Sequence, residues 1–445
     1  MAHYDVVVAG GGPAGCMAAK YAALSGARTL ILEEHAEIGS PVQCAGLISR
    51  RALHESGVHP QRCIVSDIRG FTAYSPSLID IHADYNGAVV IRRDFFDREL
   101  AMSAVRAGAD IMTHAKVVAV KRERTVSVLK VKTLKDRATS EPHFTEIRAK
   151  VVVGADGAGS IVARHSGLES GSERSNLLKC VQVECAYDTS ENAEIFVSSR
   201  IAPGFFAWAV PAGNLVARIG LCADTCISPD RSPFDLLESL FRHPVVSKRI
   251  SCIEGSRIDG NKINKINKIN KISRNSQNTK KTNAWRKVFA LNAGVIPIAR
   301  NLKFPTFSTE KGVLLVGDAA AQVKPVSGGG VFYSIKCGKI AGEKAAEAAL
   351  SGDMSYLAEY ERSWMHMLGR EISFGLRIHK LRCRLGDHDF DAIFSALKHA
   401  DVMDAVKEGD MDFPSGVLIR ILREILRHPK LLKSLAKIIS MYAKL

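Results

Sequence analysis

Runs of consecutive apolar residues alternate along the chain with stretches of helical periodicity. Residues 4–9 form a short, β-branched run that predicts a buried strand. Three glycines follow, Gly10, Gly11 and Gly12, and then an alanine-rich helical pattern to about Ser25. A second apolar run at 29–32 ends at Glu33. Residues 151–153 and 313–316 predict two more buried strands, running into Gly154 and Gly317. After the second of these, Ser327, Gly328, Gly329 and Gly330 open a helical pattern that reaches about Leu350. From Tyr356 onward the pattern is helical. Leu418, Ile421, Leu422 and Ile425 make one apolar stripe, and Leu431, Leu435, Ile438, Ile439 and Tyr442 make another beyond Pro429.

These elements predict an α/β chain of more than one domain. The strands at 4–9, 29–32, 151–153 and 313–316 belong together but lie far apart, so the first domain is expected to be discontinuous. The division expected is 1–179 and 301–350 for a Rossmann-type domain, 180–300 for an inserted antiparallel-sheet (α+β) domain, and 351–445 for a helical C-terminal region. A length of 445 residues suits two or three domains. No run approaches the ~18 apolar residues of a membrane span, and residues 1–9 lack the pattern of a secretory signal. The ten cysteines contain no Cys-x-x-Cys pair, which speaks against zinc ribbons and disulfide scaffolds and for a reducing interior.

Net charge is +15, a value that suggests nucleic acid until it is located. Residues 261–283 hold seven basic residues and no acid, and residues 417–445 hold seven against Glu424, which leaves the rest at +2. A near-neutral body with two basic appendages argues against a nucleic-acid surface. Residues 261–272 are four copies of Asn-Lys-Ile, a period that packs into no repeat fold, so 261–283 is expected to be a disordered loop insertion, with a basic contact surface as the competing reading. The tail stripes predict either cover for the core or a basic amphipathic contact with an anionic membrane surface.

Gly10-x-Gly12-x-x-Gly15 would be weak alone. Here it follows a strand, opens a helix, and has an acid at Glu33, 23 residues after Gly10. Gly10 permits the tight turn, Gly12 admits a pyrophosphate, and Gly15 lets helix and strand pack closely. Ala14 lies in the same turn, the helix N-terminus offers free N–H groups to phosphate, and Glu33 can accept hydrogen bonds from a ribose. The second glycine element decides which dinucleotide is meant. Asp318 after the 313–316 strand can hold a ribityl chain, and N–H groups near Gly329, Gly330 and Val331 can face the O2/N1 edge of a flavin. That makes FAD the expected cofactor; no metal is expected.

On these residues the chain resembles the hydroxylase-like FAD-dependent flavoproteins, through its start, the Val153–Gly157 turn with Ser160 and Arg164, and Gly317-Asp318. Three segments, 39–49, 203–211 and 317–330, resemble the geranylgeranyl reductase family. The resemblance implies that Cys44, Ala45 and Leu47 contact FAD, that Arg93 does so through its guanidinium, and that the backbone of Val117 meets adenine. It also implies Cys44 as a proton relay, beside the plainer reading of a small buried hydrophobe. Phe206 and Trp208 are expected to wall an apolar substrate tunnel, with sheet core as the competing reading. The family's Pro-x-x-Tyr-x-Trp-x-Phe-Pro motif has Phe206 at the tyrosine place and Val210 at the phenylalanine place.

The function implied is FAD-dependent saturation of isoprenoid C=C bonds in an archaeal glycerophospholipid precursor. No second Gly-x-Gly-x-x-Gly unit is present for a nicotinamide, so an external electron donor is expected, ferredoxin or a reduced small molecule. The place expected is the cytoplasm, with peripheral contact at the inner membrane face through the tail. The alternatives are a flavin monooxygenase or halogenase on the same fold, and a non-catalytic flavin or isoprenoid carrier.

Overall fold

A computed structural model describes residues 2–134, 142–169, 171, 175–252, 283–399, 407, 409–426 and 429–444. The Asn-Lys-Ile repeat lies outside them.

Two eight-stranded sheets interleave along the chain. In the first, Val313–Leu315, Pro142–Gly154, Ala2–Ala9, Thr29–Leu32 and Asp110–Met112 run parallel in that order. Val6 pairs with Thr29 on one side and with Val151 on the other. Val6, Val7, Val8 and Val151, Val152, Val153 are all 0% exposed. Helices or strands cover both faces, which is why these strands read as unbroken apolar runs. The second sheet is antiparallel except for one parallel pairing, Asn192–Phe196 with Ile64–Tyr74. It takes three strands, Leu47–Ser49, Ile64–Tyr74 and Asp80–Ile91, from the first hundred residues. The sheets therefore do not divide at residue 180.

Two helices hold the first sheet to the cavity described below. Pro13–Leu24 follows the glycine turn, with Pro13 at its first position and Gly12 as an extended cap. Val331–Ser351 crosses it with almost no space between. A Cβ on Gly338 would lie 2.6 Å from the Ala14 carbonyl oxygen, and one on Gly342 would lie 2.1 Å from that of Ala18. Two glycines four residues apart thus let the backbones touch, and both helix N-termini face the same cavity.

The tail packs on the helical region. Leu435 and Ile438, on Pro429–Ala443, are buried against Leu385, Phe390 and Ala396, around Asp387–His399. Lys437 pairs with Asp389 at 2.7 Å. Part of the second apolar stripe is therefore used by the core. A second departure from expectation is that Cys180 and Cys222 form a disulfide. They face each other in register on Ser175–Ala186 and Val216–Ala223. A separation of 42 residues gave no hint of the pairing, because strand register and not spacing creates it.

Candidate active site

The two sheets meet at a cavity of about 730 Å³. One wall is made of backbone. Gly10 turns at φ +103°, and a Cβ there would lie 2.3 Å from the Ala155 carbonyl oxygen. Gly15 is tighter still, with a Cβ 1.9 Å from the Gly10 carbonyl oxygen. Gly12 is the opposite case: nothing lies within 4 Å of its added Cβ, and it lines the cavity together with Ala14. The fold requires Gly10 and Gly15, whereas the space at Gly12 is left for a ligand. No side chain caps the Pro13–Leu24 helix, so its first-turn N–H groups can receive phosphate.

Glu33 stands behind this turn and not in the cavity wall. One carboxylate oxygen accepts the Gly11 N–H at 2.8 Å, and the other accepts the His35 N–H at 2.9 Å and meets His35 Nδ1 at 2.6 Å. The sequence pointed to a ribose acceptor; bracing of the glycine turn was not legible from spacing. Val117 is 6% exposed and packs in the core of the first sheet, outside the cavity wall.

Asp318 lies in the turn Gly317–Ala320, on the cavity. Burial pushes its carboxyl up to about 6, with Arg93 pulling the other way. A Cβ on Gly330 would come within 3.5 Å of Asp318 Oδ1. Gly330 begins the Val331–Ser351 helix without a side-chain cap. A carboxylate acceptor therefore sits beside an open helix N-terminus. This pairing fits a ribityl chain next to the electron-rich edge of a flavin. Arg93 is held bidentately by Asp97, at 2.9 and 2.8 Å. Burial opposes the Arg93 charge, but the Asp97 and Cys44 neighbours outweigh it and hold the guanidinium protonated.

The opposite wall is made of side chains. Phe205 and Phe206 stack at 4.6 Å, and Phe206 meets the Trp208 ring edge-on at 6.1 Å. Trp208 Nε1 donates to Gln182 Oε1 at 3.1 Å, and Gln182 Nε2 donates to the Cys44 carbonyl at 3.4 Å. Gln182 thus ties the Cys44 loop to the aromatic wall. Cys44 Sγ accepts the Gly46 N–H at 3.3 Å, and Arg93 lies close enough to feel its charge. Ala45 and Leu47 line the cavity beside it, and Arg218 Nη1 donates to the Ala45 carbonyl at 2.8 Å. The Cys180–Cys222 disulfide lies in this wall too. At another edge, Lys324 pairs with Asp412 at 3.0 Å, both almost fully buried. Sequence reading missed Gln182, Arg218 and the Lys324–Asp412 pair. Each acts through a partner at least 34 residues away.

The family profile "FAD binding domain" matches residues 3–222. Digeranylgeranylglycerophospholipid reductase 2 of Methanothermobacter thermautotrophicus is 33% identical over 436 residues, covering 95% of this chain and 100% of that one. The protein of the same name from Methanopyrus kandleri is 31% identical, covering 97% and 98%. The chain belongs to the digeranylgeranylglycerophospholipid reductase family. Among solved structures, a geranylgeranyl bacteriochlorophyll reductase-like protein from Thermoplasma acidophilum superposes with a TM-score of 0.74 at 25% identity, covering 98% of this chain and 100% of that one. A flavin-dependent brominase shares the fold with a TM-score of 0.64 at 16% identity, covering 95% and 98%. Membership makes the chain an FAD-dependent oxidoreductase, and the fold class expected from sequence is the one found. The halogenase likeness extends to fold alone. No helix among the described residues is long and apolar enough to cross a membrane.

Proposed function

We propose that this family member saturates the isoprenoid C=C bonds of geranylgeranyl chains in archaeal glycerophospholipid precursors. One observation carries the reading: the glycine-built wall and the Phe205, Phe206 and Trp208 wall enclose the same cavity, in a chain whose relatives are named for that reaction. When bound and reduced, FAD supplies a hydride. The chain's own task is to hold an isolated alkene in a dry site, in line, and to deliver a proton to the second carbon.

In this reading Gly12, Ala14 and the first turn of Pro13–Leu24 hold the pyrophosphate, while Asp318, Gly330 and Val331 hold the ribityl and ring edge. Glu33 positions the Gly11 N–H. Arg93, fixed by Asp97, lies beside the Cys44 sulfur and orients the thiol. Cys44 holds the proton at Sγ, in a loop anchored through Gln182 to the wall the alkene would touch. Phe206, in place of a phenol, keeps that wall apolar and leaves the proton to the thiol. Electrons come from an external donor, ferredoxin or a reduced small molecule.

Since Leu435 and Ile438 are buried in the core, contact with an anionic bilayer runs through exposed basic residues such as Arg423 and Lys444. Each such charge contributes about 1 kcal/mol near the surface, less in salt. The test of function is anaerobic incubation of the dithionite-reduced holoenzyme with digeranylgeranylglycerophospholipid, followed by mass spectrometry. Mass gains in steps of one hydrogen pair are expected. Oxygen-dependent hydroxylation instead, or binding of lipid with no turnover, would overturn the reading.

A further inference from the structure

Arg382 ends the long helix Tyr356–Arg382 and reaches both walls of the cavity from behind. Its Nε donates to the Gly204 carbonyl at 3.2 Å, its Nη1 to the Val326 carbonyl at 2.7 Å, and its Nη2 to the Pro325 carbonyl at 3.2 Å. Its Cζ lies 4.1 Å from the centre of the Phe205 ring. Gly204 leads directly into Phe205 and Phe206 of the aromatic wall. Pro325 and Val326 lead directly into the Ser327–Gly330 turn. That turn leans on the same ring: a Cβ on Gly328 would come within 3.3 Å of Phe205 Cζ. The helix closes on it as well, since a Cβ on Gly375 would lie 2.9 Å from Pro325 Cδ.

This arrangement carries a cost. Burial pushes the guanidinium down to about 10, and no carboxylate among the described residues pairs with it. An enclosed cation with only neutral acceptors is unfavourable unless its donors are well used. Here the planar fork reaches carbonyls on two loops more than a hundred residues apart, which a single ammonium cannot copy.

The cluster around it supports the guanidinium and is no cation site. Asp224, His379 and Cys383 bring ligand atoms within 4.8 Å of one another. But Arg382 Nη2 lies 3.1 Å from His379 Nδ1, and a guanidinium has no acceptor. Nδ1 must accept, so the ring proton is on Nε2, which faces Cys383 Sγ at 3.6 Å. The lone pair a metal would need is therefore absent. Burial and then the Arg382 charge hold His379 neutral, pushed down to about 3.

We propose that Arg382 is a positioning residue for alkene reduction: it fixes the Phe205–Phe206 wall in register with the Gly328–Gly330 turn. The proposal rests on the functional reading above and assigns the gap between the two walls to one side chain. A misplacement of about 1 Å at such a gap costs roughly 100-fold in rate.

The test compares wild-type, Arg382→Lys and Arg382→Ala holoenzymes, with every rate expressed per bound FAD. Both variants are expected to retain bound FAD, since the Gly10–Gly15 turn, Glu33 and Asp318 are untouched, with the Gly328–Gly330 end of the site displaced. Their kcat is expected to fall roughly 100-fold with KM for lipid changed far less. Millimolar guanidinium is expected to restore part of the Arg382→Ala rate, and ammonium none. The visible bands of bound FAD, read without substrate, are expected to change shape in both variants. Wild-type kcat per FAD in Arg382→Lys, or an unchanged FAD spectrum, overturns the proposal. A loss explained wholly by FAD release also overturns it. If neither variant folds, Phe205→Leu removes the stacked ring but none of the hydrogen bonds, and must reproduce the kcat loss; a wild-type rate there overturns the proposal. If wild-type protein itself reduces no alkene, the functional reading fails, and the spectrum alone still reports on the turn.

Discussion

The glycine-built wall and the aromatic wall enclose the same cavity, yet they are specified at different levels of the chain. In the first, contacts are between backbone atoms: the Gly10 and Ala155 carbonyls occupy the places where side chains would begin. In the second, contacts run from ring to ring and through Gln182 to the Cys44 loop. A backbone contact cannot yield to an added methyl, whereas a side-chain wall can repack. The first wall should therefore fail abruptly on substitution and the second in steps.

The sharpest break is Gly15→Ala against Gly12→Ala. An added methyl at Gly15 meets the Gly10 carbonyl oxygen at 1.9 Å, so little folded, FAD-bound protein is expected, a cost above about 4 kcal/mol. At Gly12 the space is open, so the thermal midpoint without FAD should hold while FAD affinity falls. Equal melting curves for the two variants would remove the distinction. Next in size is Asp97→Ala. It strips the partner from the buried Arg93 and should cost about 3–5 kcal/mol in denaturant unfolding. A loss under about 1 kcal/mol would mean that water reaches Arg93 freely.

On the aromatic wall, Trp208→Phe keeps the ring but loses the bond to Gln182. The expected stability loss is about 1 kcal/mol. KM for lipid should rise because Gln182 also steadies the Cys44 loop. An unchanged KM would detach Gln182 from substrate binding.

These differences also explain what could be read in advance. The glycine turns, the buried parallel strands and the cofactor were legible because each is written in adjacent residues, as in Gly10 to Gly15 or Gly317-Asp318. The bracing of Gly11 by Glu33 was half-legible: the carboxylate was singled out, but its partner depends on how the turn closes. Gln182, Arg382 and the Cys180–Cys222 pair were illegible. Their partners come from distant segments, brought together by strand register for the disulfide and by the packing of loops on a helix or strand for Arg382 and Gln182, and a lone glutamine or arginine has no periodicity. Val117 entered through resemblance alone; that reading concerns its backbone, while its side chain packs in the core.

The smallest expected effect is a pH dependence in the glycine-built wall. In FAD-free protein the Asp318 carboxyl is raised by burial from 3.8 to about 6. Below pH 3.8 the group is protonated in both the folded and unfolded states and contributes nothing. Between 3.8 and about 6 the unfolded state ionises first, so wild type loses stability relative to Asp318→Asn, and above that the deficit is constant. Melting midpoints of the two proteins across this range should diverge and then run parallel. A constant offset at every pH would mean that Asp318 is not desolvated.

The central claim is that both walls act on one alkene in one cavity. The most direct measurement is anaerobic mixing of reduced holoenzyme, freed of excess dithionite, with the geranylgeranyl phospholipid while the visible absorbance is followed. The account predicts that the yellow colour returns without oxygen, with one C=C bond lost per FAD reoxidised. If the protein stays colourless until oxygen is admitted and the lipid keeps all its double bonds, the account is contradicted.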